Sequence, residues 1–249
     1  MDLGVLMDAL DVDVFLSTGC RLLPGANLGQ LLPEWGFEPS GPRGSGFGAV
    51  CAFAAAASPS EVSWRAEWST TPRITWVEIG AGVVAVGFVV PPKSSAHPAA
   101  EREAVLAMIF EQYDTVRSAV APETVIVGYG DLNPTPALLG QYGDHLRRRG
   151  LVDLYGGEVA THVRGRRLDV GWAEPAAGAC AVVHNGVHCA EMGCGRTQCG
   201  KHSQTFGSQD LDHFPVVITC APCGQGPGRP GVPSDQQKER MSGAVWRTA

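Results

Sequence analysis

The amino-acid sequence predicts an α/β protein in which two β-sheets form a sandwich flanked by helices. Apolar, β-branched segments of strand length recur along most of the chain, and some neighbouring segments are joined by short glycine-containing turns. Two longer segments repeat apolar residues every three or four positions, which is the period of an amphipathic helix. Helices interspersed with strands and hairpins are typical of a mixed sandwich that carries its helices outside.

Length and composition indicate one folded domain outside the membrane. The chain has 249 residues, of which 44% are hydrophobic and 18% are charged, and a single core accommodates such a chain. No apolar run approaches the roughly 20 residues that cross a bilayer, and the first residues lack the pattern of a secretory signal. We therefore expect an intracellular protein, in the nucleus or cytoplasm, with reduced cysteines and no membrane partner.

The net charge of −6 argues against binding polyanions by overall charge. A nucleic-acid ligand would therefore need local basic groups or bound cations. Two arginine-rich segments, residues 147–149 and 164–167, are candidates for such groups. Solvated arginines at a helix end and in a loop are an equally good interpretation.

The amino-terminal third predicts strands on either side of a loop. Residues 10–16 alternate acidic and apolar side chains before becoming fully apolar, which predicts a strand entering a core. Residues 24–46 are rich in glycine and proline and predict a loop, and residues 48–57 predict a second strand. Residues 74–79 and 83–90 flank a Gly-Ala-Gly turn and predict a β-hairpin.

The middle of the chain predicts two helices around a buried strand. An amphipathic helix is predicted from Pro98 to Val120, and its inward residues are Val105, Ile109, Tyr113, Val116 and Val120. A short strand from Thr124 to Val127 leads to Asp131. A second helix is predicted over residues 136–149, ended by a glycine, and its inward residues are Leu138, Leu139, Tyr142 and Leu146.

The last third predicts short strands followed by a tail without regular structure. The strands are predicted at residues 151–154, 167–172, 179–183 and 214–219. Beyond Cys220 the sequence is dominated by glycine, proline and polar residues, which disfavour a packed core. We therefore expect a folded domain over residues 1–220 and a disordered tail over residues 221–249.

Two short phrases carry most of the functional information. Gly130-Asp131-Leu132-Asn133 and Asp212-His213-Phe214-Pro215-Val216 each place an acid beside a hydrogen-bonding partner near a predicted strand. A carboxylate can orient or deprotonate a water molecule, while an amide and an imidazole hold charged oxygens. Together these groups suit the attack of water on a phosphate ester. Each phrase taken alone is explained as well by an Asx turn or a salt-bridged strand end.

These phrases make residues 8–219 resemble the endonuclease/exonuclease/phosphatase superfamily, which has the DNase I-like four-layer fold. The resemblance is carried by five segments in the family's order: residues 13–16, Val83–Pro92, Val125–Asn133, Arg167–Asp169 and Asp212–Val216. The phrasing is most similar to the endonuclease domains of non-LTR retrotransposons. The resemblance implies a divalent-metal-dependent hydrolase of phosphodiester bonds, in which Mg²⁺ neutralises phosphate charge, and DNA as the substrate.

The resemblance also assigns roles to five matching residues. It implies that Asp131 orients or activates the attacking water and that Asn133 binds a phosphate oxygen. It implies that Asp169 orders the site near the leaving group. Asp212 is expected to polarise His213, which contacts the scissile phosphate, and to lie close to the metal as its ligand.

The chain departs from the family pattern where the family holds its metal. The glutamate that ends the family's second strand corresponds to Gly19, and a glycine offers no oxygen side chain to a hard cation. The first strand of the family would precede residue 8, where no asparagine stands, so part of the amino-terminal strand is expected to be missing. The tyrosine of the proline-rich strand corresponds to Val89. The predicted Mg²⁺ site is therefore weakened or absent.

Two interpretations of these departures stay open. The chain can be a catalytically inactive or truncated relic that keeps the fold, with or without a binding role. Alternatively, Asp131, Asp212 and a nearby acid such as Glu78 can hold a metal in a rearranged site. The sequence makes no prediction of the oligomeric state.

A cysteine- and histidine-rich segment offers a different metal site. The candidate ligands for Zn²⁺ are His184, His188, Cys189, Cys194, Cys199, His202, Cys220 and Cys223. Most of their spacings differ from those of structural zinc sites, so free cysteines in a variable insertion are the favoured interpretation. Among the tryptophans, Trp35 or Trp68 can line a substrate groove, although packing is the more common role of a tryptophan.

Overall fold

A computed structural model describes residues 14–20, 35–39, 49–55, 62–71, 73–80, 82–94, 96–155, 160–162, 166–183 and 216–220. The elements in chain order are β1 (Val14–Cys20), β2 (Trp35–Pro39), β3 (Ala49–Ala55), β4 (Val62–Trp64), β5 (Ile74–Ile79), β6 (Val83–Val89), α1 (Ala99–Ala119), β7 (Val125–Asp131), α2 (Pro136–Arg149), β8 (Val152–Asp153), β9 (Asp169–Ala173), β10 (Cys180–Val183) and β11 (Val216–Thr219). No helix in these ranges combines the length and apolarity needed to cross a membrane.

The central element is a six-stranded sheet with the order β4-β5-β6-β7-β9-β8. The predicted hairpin of β5 and β6 is confirmed, and Gly80 and Gly82 make its turn at φ values of 52° and 111°. Glycine adopts such left-handed angles without the steric cost of a Cβ atom. β6 and β7 are the parallel pair of this sheet, and α1 connects them. The carboxyl ends of β6 and β7 therefore lie at the same edge.

One face of this sheet packs against both helices. The core there includes Phe88, Ile109, Tyr142 and Trp172, which are at most 1% exposed. The side chains of Trp172 and Phe88 lie directly over β7, because a Cβ atom at Gly128 would approach the Trp172 ring to 2.2 Å and one at Gly130 would approach the Phe88 ring to 2.5 Å and the Phe88 carbonyl to 2.2 Å. Glycine in β7 is thus a packing requirement of the aromatic core.

Two smaller sheets accompany the six-stranded one. β1, β3 and β2 form an antiparallel sheet in that order, and β10 pairs antiparallel with β11. The pairing of β1 with β3 shifts between Ser17 and Cys20, so Gly19 lies at an irregularity of the strand. The chain is therefore mixed α/β, with sheets and flanking helices.

Several predicted element bounds are wrong. The first strand was predicted to end at residue 16, but β1 continues to Cys20, and residues 10–13 of that prediction lie outside the described residues. The predicted loop of residues 24–46 contains strand β2. The strand before the second helix continues past Val127 to Asp131. Its glycines favour no regular structure by themselves, so the sequence did not predict this extension. In the structure the extension pairs with β6 on one side and β9 on the other. The predicted tail, residues 221–249, lies outside the described residues.

The two predicted helices are confirmed with one inward residue wrong. The inward residues of α1 are buried except Val120, which is partly buried against the core. In α2, Leu138, Tyr142 and Leu146 are at most 5% exposed, but Leu139 is 40% exposed. One residue along a helix rotates the side chain by about 100°, so Leu138 and Leu139 cannot both face the sheet.

Candidate active site

The candidate site lies where β7 ends, at the edge shared with β6. Asp131 is the last residue of β7, in register with Val89 of the parallel strand β6 and with Asp169 of the antiparallel strand β9. Both acids are buried, with exposed fractions of 9% for Asp131 and 0% for Asp169. Directly paired residues of neighbouring strands point to the same face, so the two carboxylates share one side of the sheet.

Asn133 completes a tight turn over the Asp131 carboxylate. Its backbone N–H donates to Oδ1 of Asp131 at 2.9 Å, and its Nδ2 donates to Oδ2 at 2.7 Å. Nδ2 also donates to the carbonyl of Val90 at 3.0 Å. The backbone of Asn133 is left-handed, with φ of 46°, a conformation that asparagine tolerates better than most residues. The structure therefore brings Asp131, Asn133 and Asp169 together.

These hydrogen bonds fix which atom of the Asn133 amide remains available. Both protons of Nδ2 are donated, one to Val90 and one to Asp131. Reversing the amide would place Oδ1 against two acceptors, so the neighbours determine its orientation. Oδ1 makes no hydrogen bond within the described part of the chain. Asn133 thus presents an acceptor while its donors orient the carboxylate.

Arg102 is a site residue that the sequence interpretation missed. It lies in the first turn of α1 and is 2% exposed. Its Nε donates to the carbonyl of Pro91 at 2.8 Å, and its Nη2 donates to the carbonyl of Asn133. A signal existed in the sequence, because Arg102 is three residues before Val105. It is therefore a charged residue on the same face of the helix as the buried stripe.

Asp169 is held by groups of its own strand region. The side chain of Thr161, which is fully buried, accepts the backbone N–H groups of Leu168 and Asp169 at 3.0 Å each. Burial, followed by the negative charge of Asp169, raises the pKa of Tyr129 well above its usual value, so this phenol remains a donor at neutral pH.

The arginines considered for nucleic-acid binding are largely engaged in ion pairs. Arg167 contacts both carboxylate oxygens of Asp153 at 3.0 Å and stacks over Tyr155 at 5.1 Å. Arg147 pairs with Asp144 at 2.6 Å, and Arg149 pairs with Asp114. Residues 164 and 165 lie outside the described residues. These pairs favour the interpretation of the arginines as a structural and solvated set.

The rearranged metal site that includes Glu78 is excluded. Glu78 is in register with Val84, five residues along β6 from Val89, which is level with Asp131. Five strand residues span roughly 17 Å, so Glu78 is at the opposite end of the sheet. Its carboxylate there accepts from Nε of Arg65 at 2.8 Å.

The described residues do not by themselves fit a Mg²⁺ ion. Both oxygens of Asp131 accept hydrogen bonds from Asn133, and Gly19 has no side chain. Among the described residues, no three histidine, cysteine, aspartate or glutamate side chains gather as a metal site. Mg²⁺ requires near-octahedral oxygen ligands. The remaining predicted groups, Asp212 and His213, lie outside the described residues.

Two further predictions, the zinc site and the tryptophans of a substrate groove, also concern parts of the chain that the structure describes only in part. All the candidate zinc ligands except Cys220 lie outside the described residues. Nothing is described of the side chain of Trp35 in β2. Trp68 is described, and its ring packs edge-on against Trp76 at 6.3 Å beside the main core, so packing is its role.

The described architecture has the fold of several solved endonucleases and phosphatases, which is the DNase I-like fold that the sequence predicted. The endonuclease domain of TRAS1, a telomere-specific non-LTR retrotransposon, matches with a TM-score of 0.60 and 16% identity over 88% of this chain and 90% of that domain. An AP endonuclease from Archaeoglobus fulgidus matches with a TM-score of 0.58 and 16% identity over 87% of this chain and 91% of that one.

A mannosyl-6-phosphatase from Bacteroides thetaiotaomicron has the same fold. It matches with a TM-score of 0.55 and 14% identity over 88% of this chain and 89% of that one. No family model matches the sequence, and no curated protein matches it significantly. The predicted resemblance is therefore confirmed for the fold. The solved proteins with this fold include both endonucleases and a phosphatase, so the fold does not by itself define a substrate.

Proposed function

We propose that this protein hydrolyses phosphodiester bonds and that its substrate is nucleic acid, specifically DNA. The observation that carries the proposal is the Asp131–Asn133 turn at the end of β7, beside the buried Asp169. The similarity of the fold to solved endonucleases supports the proposal, and the turn lies where the carboxyl ends of β6 and β7 meet. We also propose that the sheets pack as a two-sheet sandwich. The same proposal places the protein inside the cell, where DNA is present.

The chemistry proposed for the chain's own residues begins with the water molecule. A carboxylate has about four lone-pair positions, and hydrogen bonds from Asn133 occupy two of those of Asp131. We propose that Asp131 accepts a proton from a water whose second proton is donated to Oδ1 of Asn133. This arrangement supports a role of Asn133 in orienting water more than the phosphate contact implied by the resemblance.

The remaining groups act on the phosphate. As the water oxygen bonds to phosphorus, the bond to the leaving ester oxygen breaks, that oxygen takes a proton from solvent water, and Asp131 releases its proton to solvent. His213, with Asp212 beside it, is the proposed contact of the scissile phosphate. Asp169, whose backbone N–H donates to the Thr161 side chain, is proposed to order this side of the site.

A divalent cation is part of the proposal as an activator rather than as a tightly bound component. Mg²⁺ supplies charge neutralisation at phosphate when bound, and Asp212 is its proposed ligand. Gly19 removes one oxygen ligand from the pattern of the family, so we expect weak binding and a requirement for millimolar Mg²⁺ or Mn²⁺.

The second candidate is a catalytically inactive protein that retains the fold and binds its ligand without turnover. Gly19 and Val89 favour it, because both stand where the resembling family has polar groups at the metal and phosphate. The variant Gly19→Glu separates the two candidates. A gain of Mg²⁺-dependent cleavage in that variant, from an inactive parent, supports the relic.

The test of the proposed function is cleavage of supercoiled plasmid with Mg²⁺, Mn²⁺ or EDTA. We expect metal-dependent nicking that is lost in both Asp131→Ala and His213→Ala. Nicking that neither substitution reduces would come from another site or a contaminant, and the proposal would be wrong. Zinc analysis of the dialysed protein tests the cysteine-rich segment, where well under one equivalent is expected.

A further inference from the structure

The carboxyl ends of β6 and β7 are joined by a ring of hydrogen bonds outside the regular sheet. The N–H of Val90 donates to the carbonyl of Asp131 at 2.8 Å, and Nδ2 of Asn133 donates to the carbonyl of Val90 at 3.0 Å. Arg102 completes the ring by donating to Pro91 and to Asn133. The two strand ends and the first turn of α1 therefore form one connected unit.

The Arg102 contact falls on the residue of this ring that most needs support. Asn133 has the only left-handed backbone found outside glycine in the described residues. Such a conformation persists where the surrounding structure fixes it. The Asn133 carbonyl accepts from the Arg102 guanidinium, and its side chain and N–H donate to Asp131. A rotation that released the carbonyl would also move the amide away from the carboxylate.

The guanidinium serves this purpose as a rigid fork. Nε and Nη2 reach two carbonyls at once, one just beyond the end of β6 and one just beyond the end of β7, which a lysine ammonium on a flexible stem cannot reproduce. Within the described part of the chain, Arg102 makes no ion pair. Its buried side chain is thus committed to backbone carbonyls around the site.

We propose that Arg102 is a positioning residue, which holds the left-handed turn of Asn133 and thereby sets the orientation of the Asp131–Asn133 pair. Arg102 touches neither substrate nor water in this role. Its conformational consequence stands on the hydrogen bonds alone, whereas its kinetic consequence rests on the proposed function. The two consequences are tested separately.

The conformational test uses protein labelled with ¹⁵N-asparagine. The chain has three asparagines, Asn27, Asn133 and Asn185, so Asn133→Gly assigns one of three side-chain amide pairs. In the wild type we expect slow hydrogen exchange of the Asn133 amide, and in Arg102→Lys faster exchange with shifts nearer those of a solvated amide. Arg117→Lys, at the other end of the same helix, is the matched control and leaves this signal unchanged.

The kinetic test measures cleavage of a fluorescent DNA duplex. Arg102→Lys is expected to lower kcat about tenfold or more, because small misplacements of catalytic groups have large effects. KM is expected to change by less than about twofold, as for a loss confined to the transition state. In the Asn133→Gly background, which tolerates the left-handed backbone, the same substitution is expected to have little further effect on kcat.

Several outcomes decide between the proposals. An Asn133 amide unchanged in a folded Arg102→Lys protein overturns the positioning role. An equal loss of kcat with and without the Asn133 side chain also overturns it, since Arg102 would then act on stability or elsewhere. If wild type and Asp131→Asn show the same background cleavage, the proposed function has failed, and the amide signal alone decides the role of Arg102.

Discussion

The two ends of β7 are both tied to α1 by an arginine, but they differ in what that arginine binds. At the amino end, Arg117 contacts the Glu174 carboxylate at 3.1 Å and the carbonyl of Thr124. Glu174 also accepts the Tyr113 hydroxyl at 2.7 Å and the backbone N–H of Ile126 at 3.0 Å. This end combines an ion pair with hydrogen bonds that close the strand.

At the carboxyl end the arginine does not neutralise a carboxylate. Arg102 binds the carbonyls of Pro91 and Asn133, while the backbone N–H and the side-chain amide of Asn133 donate to Asp131. Neutral donors orient a carboxylate but leave it its negative charge. The comparison indicates that an ion pair closes the amino end of β7, whereas hydrogen bonds from neutral donors orient the Asp131 carboxylate at its carboxyl end.

The largest expected effect is that of Asp131→Asn on cleavage. The amide retains the volume but cannot accept a proton, and loss of a general base reduces rates by about 10²–10⁴-fold. The free energy of unfolding is expected to fall by about 1–3 kcal/mol, because the new amide NH2 cannot accept one of the two hydrogen bonds from Asn133. Initial rates of plasmid nicking and an unfolding experiment measure the two quantities. Undiminished nicking would show that Asp131, at the carboxyl end of β7, has no catalytic role.

Gly130→Ala is the next largest and tests the packing beneath the site. A Cβ atom there would lie 2.2 Å from the Phe88 carbonyl, a backbone atom that cannot move away cheaply. Forcing extra volume into a packed core costs about 1–3 kcal/mol. Urea unfolding measures this loss. Gly143→Ala in α2, where a Cβ atom meets nothing within 4 Å, is the control expected to be neutral or stabilising.

Glu174→Gln is the counterpart of Asp131→Asn at the amino end. It keeps an acceptor for Ile126 but removes the charge that pairs with Arg117. We expect the free energy of unfolding to fall by about 1–2 kcal/mol, because the pair is mostly buried. Cleavage activity measured below the melting transition is expected to be unchanged. A loss of activity without a loss of stability would show that the two ends are not independent.

The smallest effect concerns alkaline pH. The chain has four tyrosines, and burial raises the pKa of each of them: Tyr113, Tyr129, Tyr142 and Tyr155. The folded state thus holds these protons more tightly than the unfolded state, whose phenols titrate near pH 10. Stability is full below pH 10 and declines as the pH rises above it.

Absorbance at the phenolate band, recorded from pH 9 to 12 beside a melt at each pH, measures this linkage. Phenolate is expected to appear only as the protein unfolds. Tyr113→Phe is expected to lessen the decline slightly, since it removes one of the four groups. A folded protein with phenolate absorbance near pH 10 would contradict the buried placement.

Much of the fold was predictable from local pattern. The period of apolar residues located α1 and α2, and alternation with a glycine turn located the hairpin of β5 and β6, because these signals act within a few residues. The full length of β7 was not predictable. Gly128 and Gly130 have poor strand propensity, and only the rings of Trp172 and Phe88 lying across them explain why they are there.

The candidate site divides in the same way. Asp131, Asn133 and Asp169 were recognisable because the phrases around them resemble a family whose strand order is known. The placement of Arg102 and Tyr129 depends on residues far along the chain. Arg102 and Asn133, for example, are 31 positions apart. Local sequence does not predict such contacts. The one local sign is that Arg102 is a charged residue on the apolar face of its helix.

The sequence alone determined the kinds of chemical group at the site and the helices and strands that hold them, since residue type and period are local properties. The tertiary structure decided their use: it excluded Glu78, directed the Asn133 amide protons inward and joined Arg102 to the turn. Strand register made these choices, because it fixes which distant residues stand side by side.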